Sequence, residues 1–194
     1  NIVDRLSKHL TKGTSEDVLR SYLAQVKKWC PEHPVVHIDD SDVVKQDGYK
    51  FESLGIVRDG SESTSTKNVY KKRYHVTEAC VLTTSNHPVS IFSKIHSSAE
   101  KGYKSANVIT FEAMEQGAAL FKRATFCMDR GYDDNKMFLK LDDLEQDYVI
   151  RLTSKRKLLY HNKWTPATEL RDRRKGKIKT SVFYRGKELS LIHI

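Results

Sequence analysis

Two short apolar runs in this chain each stop on an aspartate, and that pattern limits the fold more than any other feature. The first is Val35-Val36-His37-Ile38-Asp39-Asp40-Ser41-Asp42, and the second is Thr125-Phe126-Cys127-Met128-Asp129-Arg130-Gly131-Tyr132. An apolar run that ends on a carboxylate reads as a buried strand delivering an acid to the carboxyl edge of a sheet. That edge is where α/β proteins place their chemistry. Two such acids offer the oxygen ligands that hard divalent cations take. Two metal ions held in this way can clamp an in-line phosphoryl displacement.

The chain has 194 residues, enough for one good core and a small appendage. With 38% hydrophobic and 30% charged residues it belongs with soluble globular proteins rather than disordered ones. No apolar run approaches the roughly 20 residues that a membrane helix needs, so no membrane partner is expected. Residues 1–12 are amphipathic and charged throughout, unlike a signal peptide. Cys30, Cys80 and Cys127 are few, odd in number and widely spaced, which fits a reducing cytosol and a cytoplasmic location. The sequence opens on Asn1 rather than Met, which suggests a fragment.

The net charge of +9 is concentrated. Between Arg151 and Lys187 there are 13 Lys/Arg and 2 Asp/Glu, which leaves 21 basic and 23 acidic residues elsewhere. A basic block this local points to a polyanion, and nucleic acid is the default partner. Arg151, Lys155, Arg156, Lys157, Arg171, Arg173, Arg174, Lys175 and Lys177 are the candidate contacts. Tyr160, Trp164, Phe183 and Tyr184 interleave with these cations. Such aromatics can stack bases while the charges hold the backbone. They would serve equally as the apolar face of a small sheet.

Three sections follow from the patterning. Residues 1–34 read as a helical segment: Ile2, Leu6 and Leu10 recur at helical spacing, as do Val18, Tyr22, Leu23 and Val26. Thr14 or Ser15 is the expected cap of the second helix. Residues 35–153 alternate strand and helix. Strands are expected at 35–39, 74–84 and 88–95, with a turn at Asn86-His87-Pro88. A helix is expected at about 110–123, capped by Thr110, with Phe111, Met114, Ala118 and Phe121 on one face. Then come the strand ending at Asp129, a helix at about 134–144 and a strand over Tyr148–Leu152. Residues 44–72 read as an irregular connection. Residues 154–190 form a basic β-rich segment, with strands at 158–160 and 178–184 and a basic loop over Arg171–Lys177.

The order strand with acid, hairpin, helix, strand with acid, helix, strand matches an RNase H-like mixed sheet with flanking helices. Pro34 to Val43 resembles the first catalytic motif of bacterial insertion-sequence transposases of the cut-and-paste type, which carry a DDE triad. Cys127-Met128-Asp129-Arg130-Gly131-Tyr132 resembles their second motif, and Tyr148-Val149-Ile150-Arg151-Leu152 the strand that usually follows. The basic tail is similar to the insertion domain that these enzymes place between their second and third acids. The resemblance implies that Asp39 and Asp129 are catalytic and hold Mg2+ or Mn2+, with Asp40 in reserve for Asp39. It implies double-stranded DNA at transposon ends as substrate, cut and joined by hydrolysis and then transesterification. It also implies a homodimer of the full-length protein, and Trp164 as a stacking residue. The family's third acid, a glutamate on a later helix, has no counterpart here, so a truncated and inactive chain is expected.

Two other readings follow from the same residues. In a different RNase H-like nuclease, Glu112 or Glu115 would supply the third acid. In a non-catalytic basic DNA-binding module, the aspartates would be structural. Asp42 is expected beyond the end of its strand, in a capping or surface role. Asp133 and Asp134 are expected to cap the next helix, which leaves Asp129 for metal. A zinc site from Cys30, His33 and His37 is disfavoured, since no second Cys pair follows. Cys80 and Cys127 read as inert thiols in apolar strands.

Overall fold

The computed structural model describes residues 14–59, 61–170, 177–184 and 186–193. The chain divides into two compact units. One runs to Met128 and includes Asn135–Val149; the other comprises Asp129–Asp134 and the chain from Ile150 onward. The expected helix over Ile2–Leu10 lies outside the described residues.

The first unit is mixed α/β. Helix α1 (Ser15–Trp29) starts at Thr14, whose hydroxyl accepts the Asp17 amide while the Asp17 carboxylate accepts the Thr14 amide. This reciprocal capping satisfies donors that the first helical turn leaves open. Of the expected apolar stripe, only Leu23 and Val26 are buried; Val18 and Tyr22 stay exposed.

Strands β1 (Val35–Val44), β2 (Gly55–Arg58), β3 (Tyr70–Leu82), β4 (Pro88–His96), β5 (Thr125–Met128) and β6 (Asp147–Ile150) form one sheet. Its order is β2–β3–β1–β5–β6, and β4 also pairs with β3. Strand β1 runs antiparallel to β3, from Val36 opposite Val81 to Val44 opposite Arg73. It runs parallel to β5, from Val35 opposite Thr125 to Ile38 opposite Met128. A parallel pair needs a long crossover. Here that crossover contains β3, β4 and helix α2 (Ala106–Leu120).

Helix α2 packs on the sheet through Ile109, Ala113, Met114 and Gly117. Gly117 is required by close approach, because a Cβ there would lie 2.9 Å from Cζ of the fully buried Phe126. The helix begins one turn earlier than expected, with Ser105 at its N-cap. Thr110 is buried inside it, with its hydroxyl on the Ala106 carbonyl. The buried stripe runs through Ile109, Ala113, Met114 and Gly117, so Phe111 and Ala118 are only half-buried, and Phe121 is buried just past the helix end.

The stretch 44–72 is more ordered than its composition suggests. It contributes β2, and Asp59 organises the turn that follows by accepting the Ser61 amide and hydroxyl and the Glu62 amide. The β3–β4 turn is made by Asn86 in the left-handed region, φ 61°. Helix α3 (Asn135–Asp143) precedes β6. Buried Gln146 ties that junction together, accepting the Ala124 amide and donating to the Leu144 carbonyl.

The second unit holds strands β7 (Lys157–Tyr160), β8 (Lys163–Pro166), β9 (Lys177–Tyr184) and β10 (Lys187–His193), in the order β10–β9–β7–β8 with antiparallel pairing throughout. Its core is Leu158, Leu170 and Val182, with Tyr160, Tyr184, Leu189 and Leu191 packed against it. Strand β8 was not expected from the sequence. No helix among the described residues is long and apolar enough to cross a membrane.

Candidate functional site

Strand β1 continues past its apolar half, and its alternation sorts the acids. Val36 and Ile38 are buried on one face. Asp40 and Asp42 follow on that same face, and Asp39 lies on the other with His37. All three aspartates are in the strand, so Asp42 does not lie beyond its end as expected.

The neighbours on β3 treat the acids differently. Asp42 sits opposite His75 and is held by the Arg73 guanidinium and by His75 Nδ1 at 2.9 Å. Asp40 sits opposite Thr77, whose buried hydroxyl donates to Asp40 Oδ1 at 2.5 Å. The same hydroxyl lies 2.9 Å from Nε2 of His96 on β4. His96 is 1% exposed and stacks between the rings of His75 and Tyr103, at 5.6 and 5.9 Å. Burial, reinforced by His75, pulls its pKa down against the opposing pull of Asp40 and Glu100, which favours the neutral imidazole. Asp39 is exposed, and its Oδ1 accepts the Asp40 amide at 3.0 Å.

Asp129 ends the second apolar run and opens a short 3-10 turn, Arg130–Tyr132. Its Oδ1 accepts the Gly131 amide at 2.6 Å, the turn role that was expected to fall elsewhere. Asp133 is held within the second unit. Its carboxylate is fully enclosed and accepts from the Thr153 amide and hydroxyl and from the Arg156 guanidinium. Glu112 pairs with Lys94 at 2.6 Å and Glu115 pairs with Lys140, so both alternative third acids are engaged.

The two runs that carry the acids are ladder neighbours. Ile38 is the register partner of Met128, and these residues immediately precede Asp39 and Asp129. Two oxygen-donor side chains suit Mg2+ or Mn2+ better than a softer metal. Among the described residues no three His, Cys, Asp or Glu side chains gather as a metal-binding group, and Cys30, His33 and His37 do not do so either. Burial pushes the thiols of Cys30, Cys80 and Cys127 up, which keeps them protonated and unreactive.

In the basic segment, Arg151 and Lys155 are exposed, and Lys157 is exposed at the start of β7. Arg156 is instead half-buried against Asp133, with its guanidinium over the Tyr184 ring at 5.3 Å, so it is a structural cation. Lys177 opens β9, and Arg171, Arg173, Arg174 and Lys175 lie outside the described residues. Register places Trp164 beside Leu159, and Leu159 beside Phe183. Together they form one row on the sheet face opposite the Leu158–Val182 core. Trp164 is 55% exposed and Phe183 45%. The aromatics therefore divide, with Tyr160 and Tyr184 in the core and Trp164 and Phe183 outside it.

Sequence reasoning missed Thr77 and His96. They stand among other polar and charged residues of β3 and β4, so no local sequence signal marks them. No family model matches this sequence, and no curated protein matches it either.

Proposed function

We propose that this chain carries an RNase H-like core with the first two acids of a DDE-type DNA transposase, and a basic sheet that contacts double-stranded DNA. The observation that carries the proposal is the parallel register of Ile38 with Met128, each one residue short of an aspartate. The strand order β4–β3–β1–β5–β6, with β1 and β5 in parallel, supports the same core.

In this reading a β1 acid and Asp129 hold Mg2+ or Mn2+. The cation supplies the Lewis acidity for in-line attack on a phosphodiester. Asp39 and Asp40 compete for the first position. The register favours Asp39, which follows Ile38 as Asp129 follows Met128. The protein's contribution is to bring carboxylate oxygens to the ends of adjacent strands. Lys157 and the other exposed cations would meet backbone phosphates, and the Trp164–Leu159–Phe183 row would meet bases. A homodimer of the full-length protein belongs to the same reading.

Manganese calorimetry tests it. Wild-type protein is compared with Asp39→Ala, Asp40→Ala and Asp129→Ala. Weak binding that disappears with Asp129→Ala and with one of the β1 variants supports a shared site. Binding indifferent to all three substitutions removes the metal reading and leaves a basic DNA-binding module. DNA affinity should fall steeply with salt, because each neutralised phosphate releases counterions.

A further inference from the structure

We propose that the loop after β1, with the adjoining ends of β2 and β3, is a binding surface for single-stranded DNA. Tyr49, Phe51 and Tyr70 stack unpaired bases there, and Lys45, Arg58 and Lys72 meet the phosphates. DNA as the partner rests on the reading above. The surface belongs to the first unit, not to the basic sheet of the second.

Register puts these groups on one sheet face. Opposite residues of an antiparallel pair share a face, and so do alternate residues along a strand. Tyr70 is opposite Arg58, and Lys72 opposite Ile56, on β2. Tyr74 is opposite Val43, and Glu78 opposite Asp39, on β1. All of them lie on the face turned away from buried Val36, Ile38, Ala79 and Val81. The loop meets the end of that face. The Lys72 ammonium lies 4.5 Å from the centre of the Tyr49 ring, and the Tyr74 hydroxyl donates to the Glu52 carbonyl. Lys45 donates its amide to the Lys72 carbonyl at 2.9 Å, and its ammonium lies 5.9 Å from the centre of the Phe51 ring. Val43 is about 13 Å along the strand from Asp39, so the ring surface and that acid share a face within reach of one DNA strand.

The same strands sort their cations by face. On the inner face Lys71 is neutralised by Asp59 and Glu62, and Arg73 by Asp42. On the outer face Arg58 donates to the Asn68 amide oxygen, and Lys72 and Lys45 lie over rings. Asp47 and Glu52 are the acids of the loop, and Lys45, Lys50, Arg58, Lys67 and Lys72 outnumber them. Cations left without a carboxylate beside exposed rings match a polymer that carries bases and phosphates together.

The rings are both exposed and held. Tyr49 is 83% exposed, Tyr70 55% and Phe51 52%. Aromatics gathered in one exposed patch mark an interaction site. The Lys72 ammonium backs one face of the Tyr49 ring, and the other is open to a base. Phe51 packs on Gly48, where a Cβ would lie 2.8 Å from the ring. The Gly48 amide donates to the Lys45 carbonyl at 3.0 Å, which closes the turn. A surface ordered before binding loses less entropy when its ligand arrives.

The test uses the whole chain, a short fluorescent oligothymidine and a blunt DNA duplex. Tyr49→Ala and Tyr70→Ala should each weaken oligothymidine binding about fivefold or more. Duplex binding should be unaffected, because paired bases offer these rings no free face. Tyr49→Phe keeps the ring and should bind like wild type. Lys72→Gln should lower the salt slope by about 0.7, the share of one phosphate on a single strand. Photo-crosslinking of wild-type protein to a bromodeoxyuridine oligonucleotide should mark Tyr49, Phe51 or Tyr70, and this readout needs no variant to fold. Crosslinks confined to the second unit, oligothymidine affinity unchanged by Tyr49→Ala and Tyr70→Ala, or equal losses for Tyr49→Phe and Tyr49→Ala overturn the surface. If Lys157→Ala weakens duplex binding while the tyrosine variants change nothing, the surface fails alone. If the wild-type protein binds neither probe, the DNA reading fails with it.

Discussion

Asp133 in the second unit and Asp40 in the first are both aspartates beside a β-strand network, yet their surroundings are opposite. Asp133 is fully enclosed, and both its oxygens are occupied by Thr153 and Arg156, with the closest ion-pair distance 2.6 Å. Asp40 is exposed and receives one hydroxyl. A carboxylate whose lone pairs are filled by protein donors holds the fold together, and one left partly open can hold something else. Asp42 and Asp59 side with Asp133: Asp42 is taken by Arg73 and His75, and Asp59 by Ser61, Glu62 and Lys71.

The largest expected effect breaks the closed member of that pair. Arg156→Met leaves the Asp133 charge enclosed without its countercharge, and losing one partner of a buried ion pair costs about 3–5 kcal/mol. Urea unfolding measures the loss. Asp40→Asn keeps an acceptor for Thr77 and should change stability by no more than about 0.5 kcal/mol. If the two variants lose stability equally, the contrast between closed and open acids is wrong.

The second prediction sets the two faces of the β7–β10 sheet against each other. Trp164→Ala removes an exposed side chain and should leave the unfolding midpoint unchanged. On the proposed function it should weaken binding to a duplex DNA end that carries an unpaired base by about 1–3 kcal/mol per stacked base. The salt dependence should not change, whereas Lys157→Ala should lower the salt slope by about one. Fluorescence titration at several salt concentrations reads both effects. A Trp164→Ala variant with undiminished affinity removes the stacking row from the DNA reading.

These contrasts also mark what the residues alone could tell. The strands around Asp39 and Asp129 were legible because each is a continuous apolar run, and that pattern survives any tertiary context. The fate of Asp42 was not legible, because a polar residue ends a strand only when no neighbour pairs with it. Here β3 supplies Arg73 and His75 directly opposite or one step away. Arg156 read as one more cation in a basic run, but its partner lies 23 residues earlier and gives no local signal. Helix α2 was placed late because Ser105 makes no side-chain cap, while Thr110 has the right chemistry for one and spends it on Ala106 instead. Strand β8 is missing from the sequence reading because it becomes a strand through its neighbour β7 rather than through its own apolar content. Thr77 and His96 are ordinary strand residues until β1, β3 and β4 are laid side by side.

The smallest effect tests whether a closed carboxylate also governs local order. Asp59 holds the turn after β2, and its carboxyl sits well below the usual carboxylate range. The Ser61 hydroxyl is the main cause, followed by the Lys71 ammonium at 3.0 Å. A carboxyl depressed in the folded state binds its proton less readily there than in the unfolded chain. Its contribution to stability is therefore fully present above the unfolded value of about 3.9 and is lost as pH falls through the depressed value. The amides of Ser61 and Glu62, which donate to this carboxylate, should keep their hydrogen-exchange protection at neutral pH and lose it in acid before the β1–β3 ladder does. Asp59→Asn keeps one acceptor but loses the ion pair with Lys71, so the turn in that variant should no longer respond to pH in this range. Protection at Ser61 that falls with pH equally in wild type and Asp59→Asn would assign the acid response to another group, and Asp59 would leave the set of acids that hold the fold.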